Sequence, residues 1–345
     1  MNRPIALAVL VASLHVYAQN LETPAPRPNP PLPYSAKVDS SIPAYTPVKG
    51  LSGSLKGVES NTVTGLADAW IAGFTKIYPN VKISVDIGGS GQGGPRLTAG
   101  TADFGFIARE MMGREETPFV DKFGYKPLAV AVSGGSVAVK AFTDCVVFIV
   151  NKDNPLNEIT FPQLDAIYSA THNRGIKAPI TTWGQLGLTG DWADKPIHAW
   201  GVEIPNGYDT FVNMHVLANG QWREGIQSQH TVIPLSDKVA ADKDAISYTG
   251  LAWDTNADTK VLKLAVHPGD PYLEPTFDNV ASQKYPLSRV IYIFINREPG
   301  KPINPILREF IRYALSQQGQ QAVVQDAIFT PLPAAMDSRE MEKLK

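Results

Sequence analysis

The stretch Gly88-Gly89-Ser90-Gly91-Gln92-Gly93-Gly94 lies between a predicted strand and a predicted helix, and Ser60-Asn61-Thr62 precedes another predicted helix. A helix start leaves backbone N–H groups without partners and carries a partial positive charge. Two such starts placed close together can hold a small anion with little help from charged side chains. The two turns therefore predict an anion pocket.

Helix and strand patterns alternate along the chain around these turns. Apolar residues recur at helical spacing from Val63 to Phe74, and apolar and polar residues alternate from Val81 to Ile87. Later helical patterns cover 161–167 and 306–314. Further strands are predicted at 102–107, 128–132, 146–150, 197–200, 245–248, 261–265 and 289–296. This order predicts an α/β sheet whose loops at the strand ends form the site.

The middle of the chain is bracketed by two apolar strands, 146–150 and 289–296. We therefore expect two lobes joined by two crossing strands. The first lobe is predicted to contain 51–144 and the returning 285–345, and the second lobe 145–284. A cleft between the lobes is the expected ligand site.

The N-terminal region predicts export. Arg3, a largely apolar run from Ile5 to Leu14 and the small residue Ala18 fit a signal peptide over 1–18, and the run is well below the ~20 residues that span a bilayer. Residues 19–50 are rich in proline and predict an extended linker, with folded structure beginning near Leu51. The single cysteine, Cys145, lies far from the cleavage site, so we expect no lipid anchor and a periplasmic location.

Composition excludes several classes of partner. A formal net charge of −2 provides no basic field for nucleic acid. The histidines show no H-x-x-x-H or H-E-x-x-H spacing, so no metal site is predicted. Cys145 begins an apolar run and is expected to be a small buried hydrophobic residue. No cofactor is predicted, and we expect a monomer.

Enzyme motifs are also missing. Gly89, Gly91 and Gly94 satisfy G-x-G-x-x-G, but only residues 95–100 separate them from the next strand, too few for a βαβ crossover of ~10 or more residues. Ser90 has Gln92 where a G-x-S-x-G elbow needs glycine. We therefore expect no catalytic residue. Glu115 and Glu116 are expected on a solvated loop.

The chain resembles the phosphate-binding solute-capture proteins of bacterial ABC importers, a branch of the type II periplasmic binding proteins. The matching pieces run through nearly the whole predicted folded chain: Ser60-Asn61-Thr62, Tyr78-Pro79-Asn80-Val81, Gly89-Ser90-Gly91, Gly100-Thr101-Ala102, Arg109-Glu110-Met111, Phe123-Gly124-Tyr125-Lys126-Pro127, Asn151-Lys152-Asp153-Asn154-Pro155, Thr182-Trp183-Gly184-Gln185-Leu186-Gly187, Lys284-Tyr285-Pro286-Leu287-Ser288-Arg289 and Pro331-Leu332-Pro333-Ala334-Ala335. The resemblance implies a two-lobed clamp, the Venus-flytrap fold, that closes on an oxyanion and hands it to a membrane permease.

In the first lobe the resemblance implies three contact turns. Ser60, Asn61 and Thr62 match the family's Ser-Asp-Thr, so the hydroxyl donors are kept and the carboxylate is replaced by an amide. The amide can still accept a hydrogen bond from protonated phosphate but does not repel sulfate. The preceding residue, usually glycine, is Glu59, a carboxylate that would oppose an anion unless paired or turned away.

The second turn and the third complete this lobe's predicted contacts. Ser90 matches the family's first serine, whereas Gly91 and Gln92 replace the usual serine and threonine and leave mainly backbone donors. Arg109 keeps the arginine of the third turn and is the candidate for a fixed positive charge that can contact an oxyanion through two N–H groups.

The second lobe departs most from the family. Val202 stands where relatives carry an arginine, and Asn206, Gly207 and Tyr208 stand in place of Ser-Gly-Thr. Loss of one charged contact weakens a buried anion site by roughly 2–5 kcal/mol. An alternative is therefore a diverged binding module that takes an organic acid or a phosphorylated organic molecule, or serves a sensory role. A secreted phosphatase is a third alternative.

Overall fold

A computed structural model describes residues 21–28 and 34–345. The predicted signal peptide, 1–18, lies outside the described residues. The strands, in chain order, are β1 (Gly53–Glu59), β2 (Val81–Ile87), β3 (Phe104–Ile107), β4 (Leu128–Gly134), β5 (Val146–Asn151), β6 (Glu158–Thr160), β7 (His198–Val202), β8 (Gln227–Gln229), β9 (Ala245–Gly250), β10 (Thr259–Val261), β11 (Lys263–Ala265) and β12 (Val290–Ile295). The helices are α1 (Thr64–Ile77), α2 (Gly93–Ala99), α3 (Gly113–Phe123), α4 (Phe161–Tyr168), α5 (Gly207–His215), α6 (Leu235–Ala241), α7 (Phe277–Ala281), α8 (Pro305–Leu315), α9 (Gln317–Asp326) and α10 (Ala334–Glu342).

Two five-stranded sheets form the centres of two lobes. The first has the order β2-β1-β3-β12-β4 and the second the order β10-β5-β9-β7-β8. In the first sheet β1 runs parallel to both β2 and β3, while β12 is antiparallel to β3 and β4. A two-stranded sheet of β6 and β11 adds to the second lobe. The α/β fold with two lobes agrees with the expectation from sequence.

Each sheet has its own hydrophobic core. The first core includes Trp70, Phe74 and Phe310, which are completely buried. The second core contains Phe148 and Tyr168 and begins at Cys145, which is buried as expected. Burial of such large side chains is the main favourable contribution to folding.

The chain crosses between the lobes twice, and the two crossings are hydrogen-bonded to each other. The Gly135 N–H donates to the Arg289 carbonyl at 2.6 Å, and the Val146 N–H donates to the Leu287 carbonyl at 3.1 Å. Leu287 still packs in the second core, whereas Val290 begins β12 in the first sheet. We propose 144/145 as the first boundary between the lobes and 288 as the start of the return.

The described part of the proline-rich segment contains no helix or strand, and the expectation that folded structure begins near Leu51 is wrong. Ala25 and Tyr45 belong to the first core, and each is 8% exposed. The Tyr45 hydroxyl is hydrogen-bonded to the Tyr78 hydroxyl at 2.8 Å. The Ala25 N–H donates to the Asn61 carbonyl at 2.8 Å. The described part of the segment therefore packs on the first lobe, because its buried side chains contact the first core.

Several elements were not predicted from sequence, among them strand β1 and helix α3, and one predicted strand is split. Strand β1 carries two glycines and shows little apolar periodicity. The ring of Phe104 packs directly on Gly57, and a Cβ at Gly57 would lie only 2.5 Å from Phe104 Cζ. Helix α3 contains Pro118 within a polar sequence. The predicted strand 261–265 is interrupted at Leu262, so that β10 pairs with β5 and β11 pairs with β6.

Candidate functional site

The site is built at the carboxyl ends of three neighbouring parallel strands. In the sheet register Glu59 at the end of β1 pairs with Ile87 at the end of β2 and with Phe106 near the end of β3. The turns that follow these strands therefore open at the same edge of the sheet, the usual ligand position in α/β folds. This topology places the three predicted turns of the first lobe next to one another.

The Ser60-Asn61-Thr62 turn is buried and does not cap the helix. The three residues are exposed by 3%, 3% and 7%, and the hydroxyls of Ser60 and Thr62 lie 3.1 Å apart. Helix α1 begins at Thr64, and the capping position is Val63, which offers no side-chain hydrogen bond. None of the three residues therefore caps α1. The hydroxyls of Ser60 and Thr62 lie near the start of α1 but do not accept hydrogen bonds from its first N–H groups.

The second turn, Ser90-Gly91-Gln92, is a short 3-10 turn in front of α2. The Ser90 hydroxyl accepts a hydrogen bond from the Ala108 N–H at 3.2 Å, which ties this turn to the third one. A Cβ on Gly91 would lie 3.5 Å from Glu115 Oε1 and 3.9 Å from Arg109 Nη2. Gly91 therefore keeps the backbone close to the guanidinium of Arg109.

Arg109 is held by the carboxylate of Glu115, a residue that was expected on a solvated loop. Its Nη1 and Nη2 donate to the two oxygens of Glu115 at 2.8 and 2.7 Å, and Nη1 also donates to the Glu110 carbonyl at 2.8 Å. Glu115 is 3% exposed in the first turn of α3, and it accepts from the Met112 N–H at 3.1 Å. The expected solvated loop is wrong for Glu115. Its position three residues after the helix N-cap was the available signal.

The start of α5 brings the second lobe to Arg109. A Cβ on Gly207 would lie 3.1 Å from Arg109 Cδ, so the two lobes are in contact here. The Asn206 side chain accepts from the Tyr208 N–H at 3.0 Å and caps the helix. The Tyr208 hydroxyl donates to Asp144 Oδ1 at 2.9 Å and is thereby directed to the crossing between the lobes.

The other departures from the family pattern lie away from Arg109. Val202 is 4% exposed and packs in the second core. Glu203 is paired with His230 at 3.2 Å on the surface, and Ile204 is 58% exposed. The structure therefore brings Gly91, Arg109 and Gly207 together with Glu115, and it does not bring Val202 or the Tyr208 hydroxyl to them.

Glu59 is a buried carboxyl next to the first turn. It is 4% exposed, and its Oε2 has no hydrogen-bond partner. Burial, with a smaller contribution from the negative charge of Asp68, raises the pKa of Glu59 to about 8. The side chain is therefore largely protonated at neutral pH and does not add a negative charge beside an anion.

A second contact between the lobes lies at the far end of α5. His215 Nε2 is 3.4 Å from Glu110 Oε1, and the Tyr292 hydroxyl donates to the same oxygen at 3.2 Å. Burial favours a raised pKa for Glu110, but the hydrogen bond from His215 and the positive charge of Arg289 outweigh it and lower the pKa. Glu110 is thus a carboxylate shared by both lobes in the closed form.

Comparison with known proteins places the chain in a family. The model of the PBP superfamily domain matches residues 46–318. The phosphate-binding protein PstS of Pseudomonas aeruginosa is 36% identical over 309 residues, which cover 90% of this chain and 92% of that protein. The phosphate-binding protein PstS of Staphylococcus haemolyticus is 28% identical over 311 residues, covering 89% and 90%.

Solved structures share the fold. PstS from Borrelia burgdorferi aligns with a TM-score of 0.52 at 20% identity and covers 81% of this chain and 99% of its own. An ABC-type phosphate transport receptor from Vibrio cholerae aligns with a TM-score of 0.51 at 18% identity, covering 80% and 99%. Among the residues that the structure describes, no helix combines the length and apolar character needed to cross a bilayer.

Proposed function

Because this chain belongs to the PBP superfamily and to its phosphate-binding branch, we propose that it captures inorganic phosphate, or a closely similar oxyanion, for an ABC importer. Binding is non-covalent and involves no turnover. Closure of the two lobes removes water from the ligand, and the permease recognises the closed form. The protein acts in the periplasm as a monomer after cleavage of the signal peptide.

One observation carries the proposal: the guanidinium of Arg109 lies between the Gly91 turn of the first lobe and the Gly207 helix start of the second. Backbone N–H groups of a helix start and a guanidinium are both donors that favour an oxyanion, and neither needs the ligand to carry an organic group. We propose Ser60, Asn61, Thr62, Ser90, Gly91, Gln92, Arg109, Asn206 and Gly207 as the contact residues. We leave Tyr208 out of this set, because its N–H is donated to Asn206 Oδ1 and its hydroxyl to Asp144 Oδ1.

The alternative of an organic ligand loses its main support. It depended on Val202, Glu203, Ile204 and Tyr208 facing a pocket. Val202 instead packs in the second core, Glu203 and Ile204 are exposed, and the Tyr208 hydroxyl is bonded to Asp144. None of these four side chains therefore forms an apolar wall beside Arg109, which favours a small anion as the ligand.

The test is calorimetric titration of the leader-free protein, refolded to remove bound ligand, with phosphate and then with sulfate at neutral pH. We expect micromolar or tighter phosphate binding, about −8 kcal/mol or more favourable. Arg109→Gln should weaken it by about 2–5 kcal/mol, since a buried charged contact is lost. Arg114→Gln is the matched control, because this neighbouring side chain is 60% exposed. Absence of heat and of thermal stabilisation with both anions would overturn the proposal.

A further inference from the structure

Arg289, the last residue of the second crossing, is a buried cation without a bonded partner. The residue is 6% exposed, and its Nε is buried with no hydrogen-bond acceptor. Within the described part of the chain its guanidinium forms no hydrogen bond and has no carboxylate oxygen within 4.0 Å. A buried cation without hydrogen-bonded partners is costly, so the N–H groups of Arg289 call for an acceptor that the described polypeptide does not supply.

The guanidinium lies against the first turns of α5. Its central carbon is 5.3 Å from the centre of the Tyr208 ring and 5.2 Å from that of Phe211. Contact with aromatic faces offsets part of the cost of burial, but it leaves the N–H groups in the guanidinium plane without acceptors. Arg109 touches the same helix one residue earlier, at Gly207. Two arginine side chains therefore lie against the first turns of α5, a nine-residue helix whose N-terminus carries a partial positive charge.

The nearby carboxylates are occupied by other donors. Asp144 accepts from the Tyr208 hydroxyl at 2.9 Å and from the Ala252 N–H at 2.9 Å. Glu110 is bonded to His215 and Tyr292. The positive charge of Arg289 acts on both carboxyls and favours a lower pKa for each. This influence is electrostatic only, so the donors of Arg289 remain available to a ligand.

We infer that Arg289 is an anion-binding residue that contacts the captured oxyanion from the crossing between the lobes, and that it supplies the positive charge missing at Val202. The inference rests on the proposed function, since the oxyanion is the one that Arg109 and the start of α5 hold. Because Arg289 lies on a crossing strand, its contact with the ligand couples binding to the closed arrangement of the lobes.

The test replaces Arg289 by methionine, which removes the charge and keeps an apolar chain of similar length. In titrations with inorganic phosphate we expect Arg289→Met to bind about 30-fold more weakly or worse. Arg339→Gln on α10 is the matched control, because Arg339 is exposed and loses the same charge. Its affinity should equal that of the wild type. Unchanged affinity in Arg289→Met would overturn the inference.

Stability separates a binding role from a structural one. If Arg289 binds an anion, Arg289→Met removes an unpaired charge from the ligand-free protein. Its midpoint of urea unfolding should then equal or exceed that of the wild type. If Arg289 instead holds the crossing together, the midpoint falls in Arg289→Met and Arg289→Gln while phosphate affinity is kept. That combination contradicts the inference.

A second probe keeps the inference testable if the wild type binds no phosphate, an outcome that by itself refutes only the proposed function. In that case crystals of the wild type are soaked in bromide and the ion is located by anomalous scattering. Bromide in contact with the guanidinium of Arg289, and lost in Arg289→Met, supports an anion site at this residue. No bromide there overturns it.

Discussion

Arg109 and Glu115 form two parallel N–H···O contacts of 2.8 and 2.7 Å, so the cation proposed to hold an anion is already paired with a buried carboxylate. A bound oxyanion at Arg109 would lie close to this negative charge. A carboxylate can accept a hydrogen bond from protonated phosphate, whereas it repels fully ionised sulfate. We therefore expect Glu115, from α3, to take the place of the carboxylate that Asn61 lacks.

Glu115→Gln should reduce discrimination against sulfate. The amide keeps an acceptor for the Met112 N–H but carries no charge, so we expect the affinity for sulfate relative to phosphate to rise about tenfold, ~1.4 kcal/mol. Calorimetric titration with both anions measures this ratio. Glu116→Gln is the control, since Glu116 lies in the same turn and pairs with Lys126 at 2.7 Å. An unchanged ratio in Glu115→Gln would show that selectivity arises elsewhere.

Glu59 should make stability fall as pH rises. Its pKa is raised from 4.5 to about 8 in the folded protein, so between these values the native state holds a proton that the unfolded state has released. The free energy of unfolding therefore decreases with pH in this window, by at most about 1.4 kcal/mol per pH unit. The stabilising contribution is fully present below pH 4.5 and is lost as pH rises through about 8.

Urea unfolding of the wild type and Glu59→Gln between pH 5 and 9 tests this expectation. The amide does not titrate, so the decline should be shallower in Glu59→Gln than in Asp121→Asn, which alters an exposed carboxyl. Burial also raises the pKa of Asp337 to about 7 and that of Asp144 to about 6, so part of the decline persists in the variant. Identical slopes for both variants would contradict the assignment to Glu59.

Gly207→Ala should hinder closure of the clamp. The added Cβ would lie 3.1 Å from Arg109 Cδ, and Arg109 cannot easily withdraw because Glu115 holds its guanidinium. We expect a cost of about 1–3 kcal/mol in ligand affinity, roughly 5- to 150-fold. Small-angle scattering with phosphate should then report a more open molecule. Gly113→Ala is the control, because a Cβ there meets no atom within 4 Å. Equal affinities for the two variants would argue against this contact.

Tyr45→Ala should destabilise the first lobe without altering the pocket. Its ring packs edge-on against Tyr313 with centroids 5.5 Å apart, and its hydroxyl reaches Tyr78 and Glu309. We expect a loss of about 3 kcal/mol in the free energy of unfolding, with phosphate affinity retained. Val48→Ala in the same segment is the control, since Val48 is 38% exposed. If both variants unfold like the wild type, the segment contributes nothing to the core.

The elements with strong apolar periodicity were predictable from sequence. Helix α1 and strand β2 lie within a few residues of their predicted positions, because burial of one face leaves a regular pattern. Strand β1 left almost none, since its place in the sheet depends on a glycine that accommodates the Phe104 ring. Such a requirement is set by a residue distant in sequence.

The candidate site was predictable only in part, for a similar reason. The turns were visible as glycine and hydroxyl clusters before helices, and their adjacency follows from the parallel strands. The partner of Arg109 was not predictable. Glu115 is brought to Arg109 by the turn into α3 and not by a local sequence motif. Arg289 lay within a recognised stretch, Lys284 to Arg289, but only its lack of a partner in three dimensions distinguishes it.

Tyr34 joins the lobes outside the two covalent crossings. Its hydroxyl donates to the Phe329 carbonyl of the first lobe at 2.5 Å, and its ring packs at 88° on Phe277 of α7, whose Val280 lies in the second core. A rotation that separates the lobes has to break this contact or carry the segment along. We therefore expect the Tyr34 contacts to influence the equilibrium between open and closed lobes, so that substitutions in this segment change ligand affinity although it lies outside the proposed contact residues.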